Sequence, residues 1–238
     1  MKVILKFAML AVLYTINNNL ITHIQVFMDP ASFQLLNNLK IVSTAICFRI
    51  VMKKELSNRK WAAITLLFLA GLVNSIGGLT TDQKSPRDMF VTVTGLVLVV
   101  IYCSISAIAG VFTELMLKQS MNTSVHVQNL YLYSFGLLIN WTMMLVNVYK
   151  SDFDAHASVF QGFTYWTWFI VLTQASNGVL ISIVMKFRSN LSRLFIMGAA
   201  MVMTSVMSYL VFGYHLNVSF SLASVCVFVA LYLNHYDA

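Results

Sequence analysis

Eight apolar runs divide almost the whole chain, and each is about as long as the roughly 20 residues an α-helix needs to cross hydrocarbon. They are Val3–Phe27, Pro30–Met52, Lys60–Gly78, Phe90–Leu117, Val125–Val148, Phe163–Lys186, Leu191–Phe212 and Val218–Tyr236. The runs are continuous rather than alternating with period two, so they predict helices and not the strands of a closed barrel, the other structure that satisfies its backbone in lipid. Composition agrees: 59% of the residues are hydrophobic and 10% are charged, against about 25% charged in a soluble domain. The expectation is an all-α polytopic membrane protein, with the lipid bilayer as its first partner.

The formal net charge of +7 raises the question of an acidic partner, and the placement of the cations answers it. Lys2, Lys6, Arg49, Lys53, Lys54, Arg59, Lys60, Lys118, Lys186, Arg188 and Arg193 fall at span ends that share one side of the membrane. Lys84, Arg87 and Lys150 fall on the other, beside Asp29, Asp82, Asp88, Asp152 and Asp154. Cytosolic loops carry the excess of lysine and arginine, so the first side is cytosolic and both termini lie there. The run "RIVMKKELSNRK" is then a solvated loop between the second and third spans, and no nucleic-acid partner is expected.

Cys47, Cys103 and Cys226 all lie within predicted spans without metal-ligand spacing, so neither a disulfide framework nor a metal site is expected. No clustered nucleophile, base and acid, Gly-rich phosphate loop or HExxH motif is present. The chain therefore reads as a non-enzyme without a cofactor.

Residues 11–78 align without gaps on residues 171–238, a shift of 160 positions, and identities such as Asn17 with Asn177, Thr44 with Thr204, Ala63 with Ala223, Phe68 with Phe228 and Ala70 with Ala230 keep one register across three spans. Spans one to three thus correspond to spans six to eight. Because the offset is five spans, an odd number, the copies face opposite ways across the bilayer, the pattern of secondary transporters whose site lies between inverted repeats. The expected organisation is an incomplete N-terminal repeat of three helices in residues 1–78 and a complete five-helix repeat in residues 90–238. Two helices then belong ahead of Met1.

Polar residues inside the spans single out a site. Lys40 lies some ten residues from the nearer end of span two and costs about 2.5–3.5 kcal/mol at a helix centre. Phe33, Asn37, Lys40 and Thr44 fall on one helical stripe, flanked by Gln34 and Asn38. The plain alternative for the amides is an interhelical hydrogen-bond seam; for the lysine it is an ion pair, and Glu114 is the acid predicted deep in a span. Asp29 and Pro30 are a natural N-cap and N1 for span two. Just before them "YTINNN" puts Tyr14 and Asn18 on one face, with Asn17 aside. The corresponding turn in the second copy, "MKFRSNLSRLF", carries Lys186, Arg188 and Arg193, which the positive-inside bias alone also explains. If the repeats meet in the usual way, Lys40 and Lys186 look into one cavity and suit an anion, phosphate first. Glu114 and Lys118 stand at i, i+4 in span four, and Asn129 with Tyr133 on one face of span five suits either packing or a nucleoside.

The segments "LYTINNNL", "FQLLNNLKIVSTA", "GVFTELMLK", "QNLYLYSFG" and "VMKFRSNLSRLF", in this order, resemble the nucleotide-sugar transporters of Golgi membranes, in the CMP-sialic acid and UDP-galactose branch. Within that family the stretch "YTINNNLITHIQVFMDPASFQLLNNLKI" is most similar to the orphan members described as probable UDP-sugar transporters. The resemblance covers essentially the whole chain and begins at the family's third helix. It implies a drug/metabolite transporter fold of ten helices in inverted five-helix repeats, a Golgi membrane location, and antiport of a cytosolic nucleotide sugar, with a UDP-sugar expected, for lumenal nucleoside monophosphate. The family's site positions fall on Tyr14, Asn18, Lys40, Ser106, Glu114, Asn129, Tyr133 and Lys186, and the lysine stripe adds Asn37. In the better-known relatives that stripe carries tyrosine where this chain has Phe33 and Asn37. The departure keeps a second reading open: a non-transporting scaffold or regulator, in a homo-oligomer or in complex with other nucleotide-sugar transporters.

Overall fold

The computed structural model describes residues 2–81, 91–119, 121–150, 162–212 and 218–236. Among them nine helices follow one another: α1 Lys2–Phe27, α2 Pro30–Asn37, α3 Leu39–Met52, α4 Asn58–Thr81, α5 Val93–Gln119, α6 Val125–Lys150, α7 Tyr165–Phe187, α8 Asn190–Phe212 and α9 Val218–Tyr236. The protein is an all-α polytopic membrane protein. Seven spans are long and apolar enough to cross a bilayer, one of them made of α2 and α3 together. The helix α1, at 26 residues, also has the length for a crossing. Lys84, Arg87 and the aspartates at 82, 88, 152 and 154 lie outside the described residues.

Local chemistry sets the helix ends. The Asp29 carboxylate accepts the Ser32 backbone N–H at 3.0 Å and the Ser32 hydroxyl at 2.7 Å, capping α2 with Pro30 at its first position as expected. Ser57 caps α4 by accepting the Arg59 N–H at 3.1 Å. Ahead of α5, Thr92 ties itself to the end of α1: its backbone N–H and its hydroxyl both donate to the Phe27 carbonyl, at 3.2 and 2.9 Å.

The second span holds as a span but is interrupted within: it is made of α2 and α3, and the break falls at Asn38. Around it the bonds tighten to three-residue spacing, Asn38 N–H to the Leu35 carbonyl and Ile41 N–H to the Asn38 carbonyl. The Asn38 side-chain amide nitrogen then donates to the carbonyls of Gln34 at 3.2 Å and Leu35 at 3.1 Å, and to the Ser75 hydroxyl of α4 at 3.1 Å. The side chain thereby satisfies main-chain acceptors at the break, the condition for irregular backbone at membrane depth.

By contact the chain forms two units. The first comprises residues 1–16 and 113–189, the second residues 17–112 and 190–238. In the first, α6 packs on α7. In the second, α4 packs along α9, and α3 packs on both α4 and α8. Gly77 near the end of α4 meets Ser219 at the start of α9, so these two helices run antiparallel. Ala63, Leu67 and Ala70 of α4, and Ala223, Val227 and Ala230 of α9, are all buried in one apolar cluster. Lipid offers no hydrophobic drive between helices, so close approach over small residues does the holding. These are also residues that the 160-position shift pairs with one another.

Candidate functional site

A cavity of about 220 Å³ opens inside the second unit. From α2 and α3 come Gln34, Asn37, Lys40 and Thr44, with Asn38 at the break between the two helices. Leu67 and Gly71 of α4, Ser106 of α5, and Asn190, Arg193 and Gly198 of α8 complete most of its wall. The polar stripe read from the sequence therefore does line one space over Asn37, Lys40 and Thr44. Phe33 leaves it: it is buried, with its ring 5.7 Å from that of Tyr102.

The break gives the cavity its shape. Gly71 faces Asn38 so closely that a Cβ there would stand 2.2 Å from Asn38 Oδ1. A bare α-carbon at this crossing lets α4 approach the break. Similarly, a Cβ on Gly110 of α5 would meet the buried Asn190 amide nitrogen at 2.7 Å. Glycine at these two contacts admits amide side chains where any other residue would collide.

Lys40 Nζ lies 5.5 Å from the Tyr102 ring centroid. A cation over an aromatic face gains about 0.5–2 kcal/mol, more as water is excluded, which offsets part of the insertion cost without a counter-ion. Among the described residues no carboxylate pairs with it; Glu114 is fully buried and takes Lys118 Nζ at 2.6 Å instead. Two polar atoms belonging to residues of the cavity wall, Asn37 Oδ1 and Arg193 Nε, are buried without a hydrogen-bond partner. Arg193 is thus the second cation of this cavity, although the sequence offered it only as one of several basic residues in a turn.

The remaining candidates of the sequence lie elsewhere. Asn18 belongs to the second unit, is exposed, and is not among the residues lining the cavity. Its neighbour Asn17 is buried, with Oδ1 unpartnered. The others sit in the first unit. There Tyr14 Oη and Thr113 Oγ1 share a hydrogen bond of 2.9 Å. Lys118, besides holding Glu114, donates to the Arg188 carbonyl just past the end of α7. Lys186, in the last turn of α7, is buried and donates to Gln128 Oε1 at 3.2 Å and to the Thr123 carbonyl. Gln128 is buried in turn and donates to the Leu117 carbonyl at 3.4 Å. This glutamine was missed by sequence reasoning, since an amide one turn into an apolar helix carries no distinguishing signal. Asn129 is buried with its amide nitrogen unpartnered, while Tyr133, a turn further along α6, is half exposed and rests its hydroxyl over Gly178 of α7.

Cations, amides and hydroxyls surround the space, and among the described residues no group of histidine, cysteine and carboxylate side chains is placed to hold a metal. Comparison with known proteins agrees in kind. A family model described as nucleotide-sugar transporter matches residues 1–235. The probable UDP-sugar transporter protein SLC35A4 of Xenopus tropicalis is 44% identical over 229 residues, 95% of this chain and 69% of that protein. Its namesake in Danio rerio is 38% identical over 227 residues, 95% of this chain and 70% of that protein. CMP-sialic acid transporter 2 of Oryza sativa subsp. indica is 36% identical over 229 residues, 94% of this chain and 61% of that protein. All three are described as transporters, two of them as probable ones. On the match along its whole length, the chain belongs to the nucleotide-sugar transporter family.

Proposed function

We propose that the chain carries a nucleotide sugar across a Golgi membrane by alternating access, in exchange for a nucleoside monophosphate, with a UDP-sugar as the cargo. The observation that carries the proposal is Lys40, a cation within a predicted span that faces a cavity and has no carboxylate against it among the described residues. Such a charge is costly unless water or an anionic solute meets it. Lys40 holds a phosphate in this reading, and Asn37 and Ser106 line the same space. The names of the relatives support a nucleotide sugar in general and a UDP-sugar in particular. On the family resemblance, Asn129 and Tyr133 read the nucleotide, Lys186 adds charge, and Tyr14, Asn18 and Glu114 complete the set.

The mechanism asks for two inverted halves, residues 1–78 and 90–238. Support comes from the second unit, where residues related by the 160-position shift pack on one another along antiparallel α4 and α9. The test is reconstitution into liposomes loaded with UMP or CMP, followed by uptake of labelled UDP- and CMP-sugars. Exchange that Lys40→Ala abolishes and the exposed Lys53→Ala leaves intact is the expected result. No exchange of any nucleotide sugar by folded protein overturns the proposal and, with a stable complex with another transporter, leaves the scaffold reading.

A further inference from the structure

Polar side chains in the middle of a span either satisfy themselves along their own helix or need something else to meet them, and α7 shows both cases. Gln174 and Asn177 are the tenth and thirteenth of its 23 residues. Two hydroxyls beside them are settled within the helix: Thr173 donates to the Ile170 carbonyl at 2.8 Å and Ser176 to the Leu172 carbonyl at 2.9 Å. The two amides are not. Both residues are exposed, and among the described residues neither side chain is hydrogen-bonded. An amide facing hydrocarbon forfeits the bonds it made in water, so this part of α7 meets water, a neighbouring helix or a solute.

The packing within the first unit shows what stands next to Gln174. Where α6 packs on α7, the Tyr133 hydroxyl rests over Gly178, and Ser182 and Met185 of α7 are buried further on. Toward the start of α7 the cover ends: every residue from Trp168 to Asn177 is exposed, as is every one from Asn140 to Met143 on α6. Gln174 stands four residues before Gly178, so it shares that face about 6 Å along the axis, while Asn177 is turned aside. The half-exposed ring of Tyr133 and the Gln174 amide therefore border one open stretch, an aromatic face beside one donor and one acceptor. Flat heterocycles with a hydrogen-bonding edge are held by this pairing of stacking and edge contacts. We propose that Gln174 reads the base of the nucleotide: the pyrimidine lies against Tyr133, the Gln174 Nε2 donates to a ring carbonyl, and its Oε1 accepts the N3–H of uracil. Turned over, the same amide accepts from the cytosine amino group and donates to N3, so it serves either pyrimidine. The inference rests on the transport reading, in which Tyr133 contacts the nucleotide, and adds to it a specificity residue from α7. The 160-position shift sets Gln174 opposite Tyr14, one of the residues already placed in the set.

The test is direct binding of three probes to the full purified chain, with monodispersity as the check on folding: UMP, 3-methyl-UMP, whose methyl group blocks the base edge, and ribose 5-phosphate, which has no base. Wild-type protein is expected to bind UMP about tenfold more tightly than 3-methyl-UMP, the size of a lost edge contact, and ribose 5-phosphate most weakly. Gln174→Leu, which keeps the bulk and drops the amide, is expected to weaken UMP about tenfold and to leave the other two probes nearly unchanged, so that the discrimination against the methyl group disappears. Gln174→Ala does the same and stands in should the leucine variant not fold. If the variant weakens UMP and 3-methyl-UMP equally, or weakens neither, Gln174 serves helix packing or solvation; that result, or equal binding of the two nucleotides by wild type, overturns the base contact and leaves the transport reading standing. Wild-type protein that binds neither UMP nor CMP overturns both.

Discussion

At the scale of single residues, glycines are informative because what their missing side chains would meet is known. A Cβ on Gly178 would lie 2.7 Å from the Tyr133 hydroxyl, whereas a Cβ on Gly136, on α6 itself, would meet nothing within 4 Å. Gly136→Ala is therefore expected to raise thermal stability slightly, by up to about 1 kcal/mol of helix propensity. Gly178→Ala displaces the tip of Tyr133 instead and, if that tyrosine contacts the nucleotide, weakens nucleotide binding more than it changes the melting temperature. Equal effects of the two alanines on binding would remove Tyr133 from the site. The ion pair of Glu114 and Lys118 gives a second residue-scale test. Glu114 is fully buried and Lys118 partly exposed, so Lys118→Met, which takes the cation away from a buried carboxylate, is expected to cost more than Glu114→Gln, which removes the charge itself. Denaturation midpoints of the two variants order them.

At the scale of helices, the break at Asn38 and the α4–α9 seam carry the consequences. Gly71→Ala drives a methyl group into Asn38 Oδ1 and is expected to abolish substrate exchange; Asn38→Ala in the same chain removes the collision and restores part of the stability. Additive losses in the double variant would show that the two residues do not meet. In the seam, Ala223→Leu overpacks a site with no exposed surface and should destabilise by about 1–3 kcal/mol, read as a drop in melting temperature in detergent. The apolar runs, the cap at Asp29 and the i, i+4 pair of Glu114 and Lys118 were all legible in the sequence, because each is a local pattern. The break at Asn38 was not. It depends on Ser75 and Gly71, more than thirty positions away, and a window of hydropathy averages straight across it. Arg193 was hidden for a different reason: the bias of basic residues toward cytosolic span ends explains an arginine there without any cavity, so its role needed coordinates.

At the scale of the whole molecule, topology is the testable property. The charge bias puts the loop before α4 in the cytosol and the start of α5 on the opposite side. A single cysteine at exposed Ser57 and another at exposed Val91, each in a background lacking Cys47, Cys103 and Cys226, separate the sides in sealed vesicles whose cytosolic face is outward. An impermeant maleimide is expected to label Ser57→Cys from outside and Val91→Cys only after permeabilisation. Labelling of both from one side would remove the odd number of crossings between them, and with it the opposed orientation of the copies. The joint at Asn38 also makes the two corresponding helices mechanically unequal. A push on the outer end of α2 is absorbed where the rod is hinged, whereas α8 is continuous and transmits the same push along its full length.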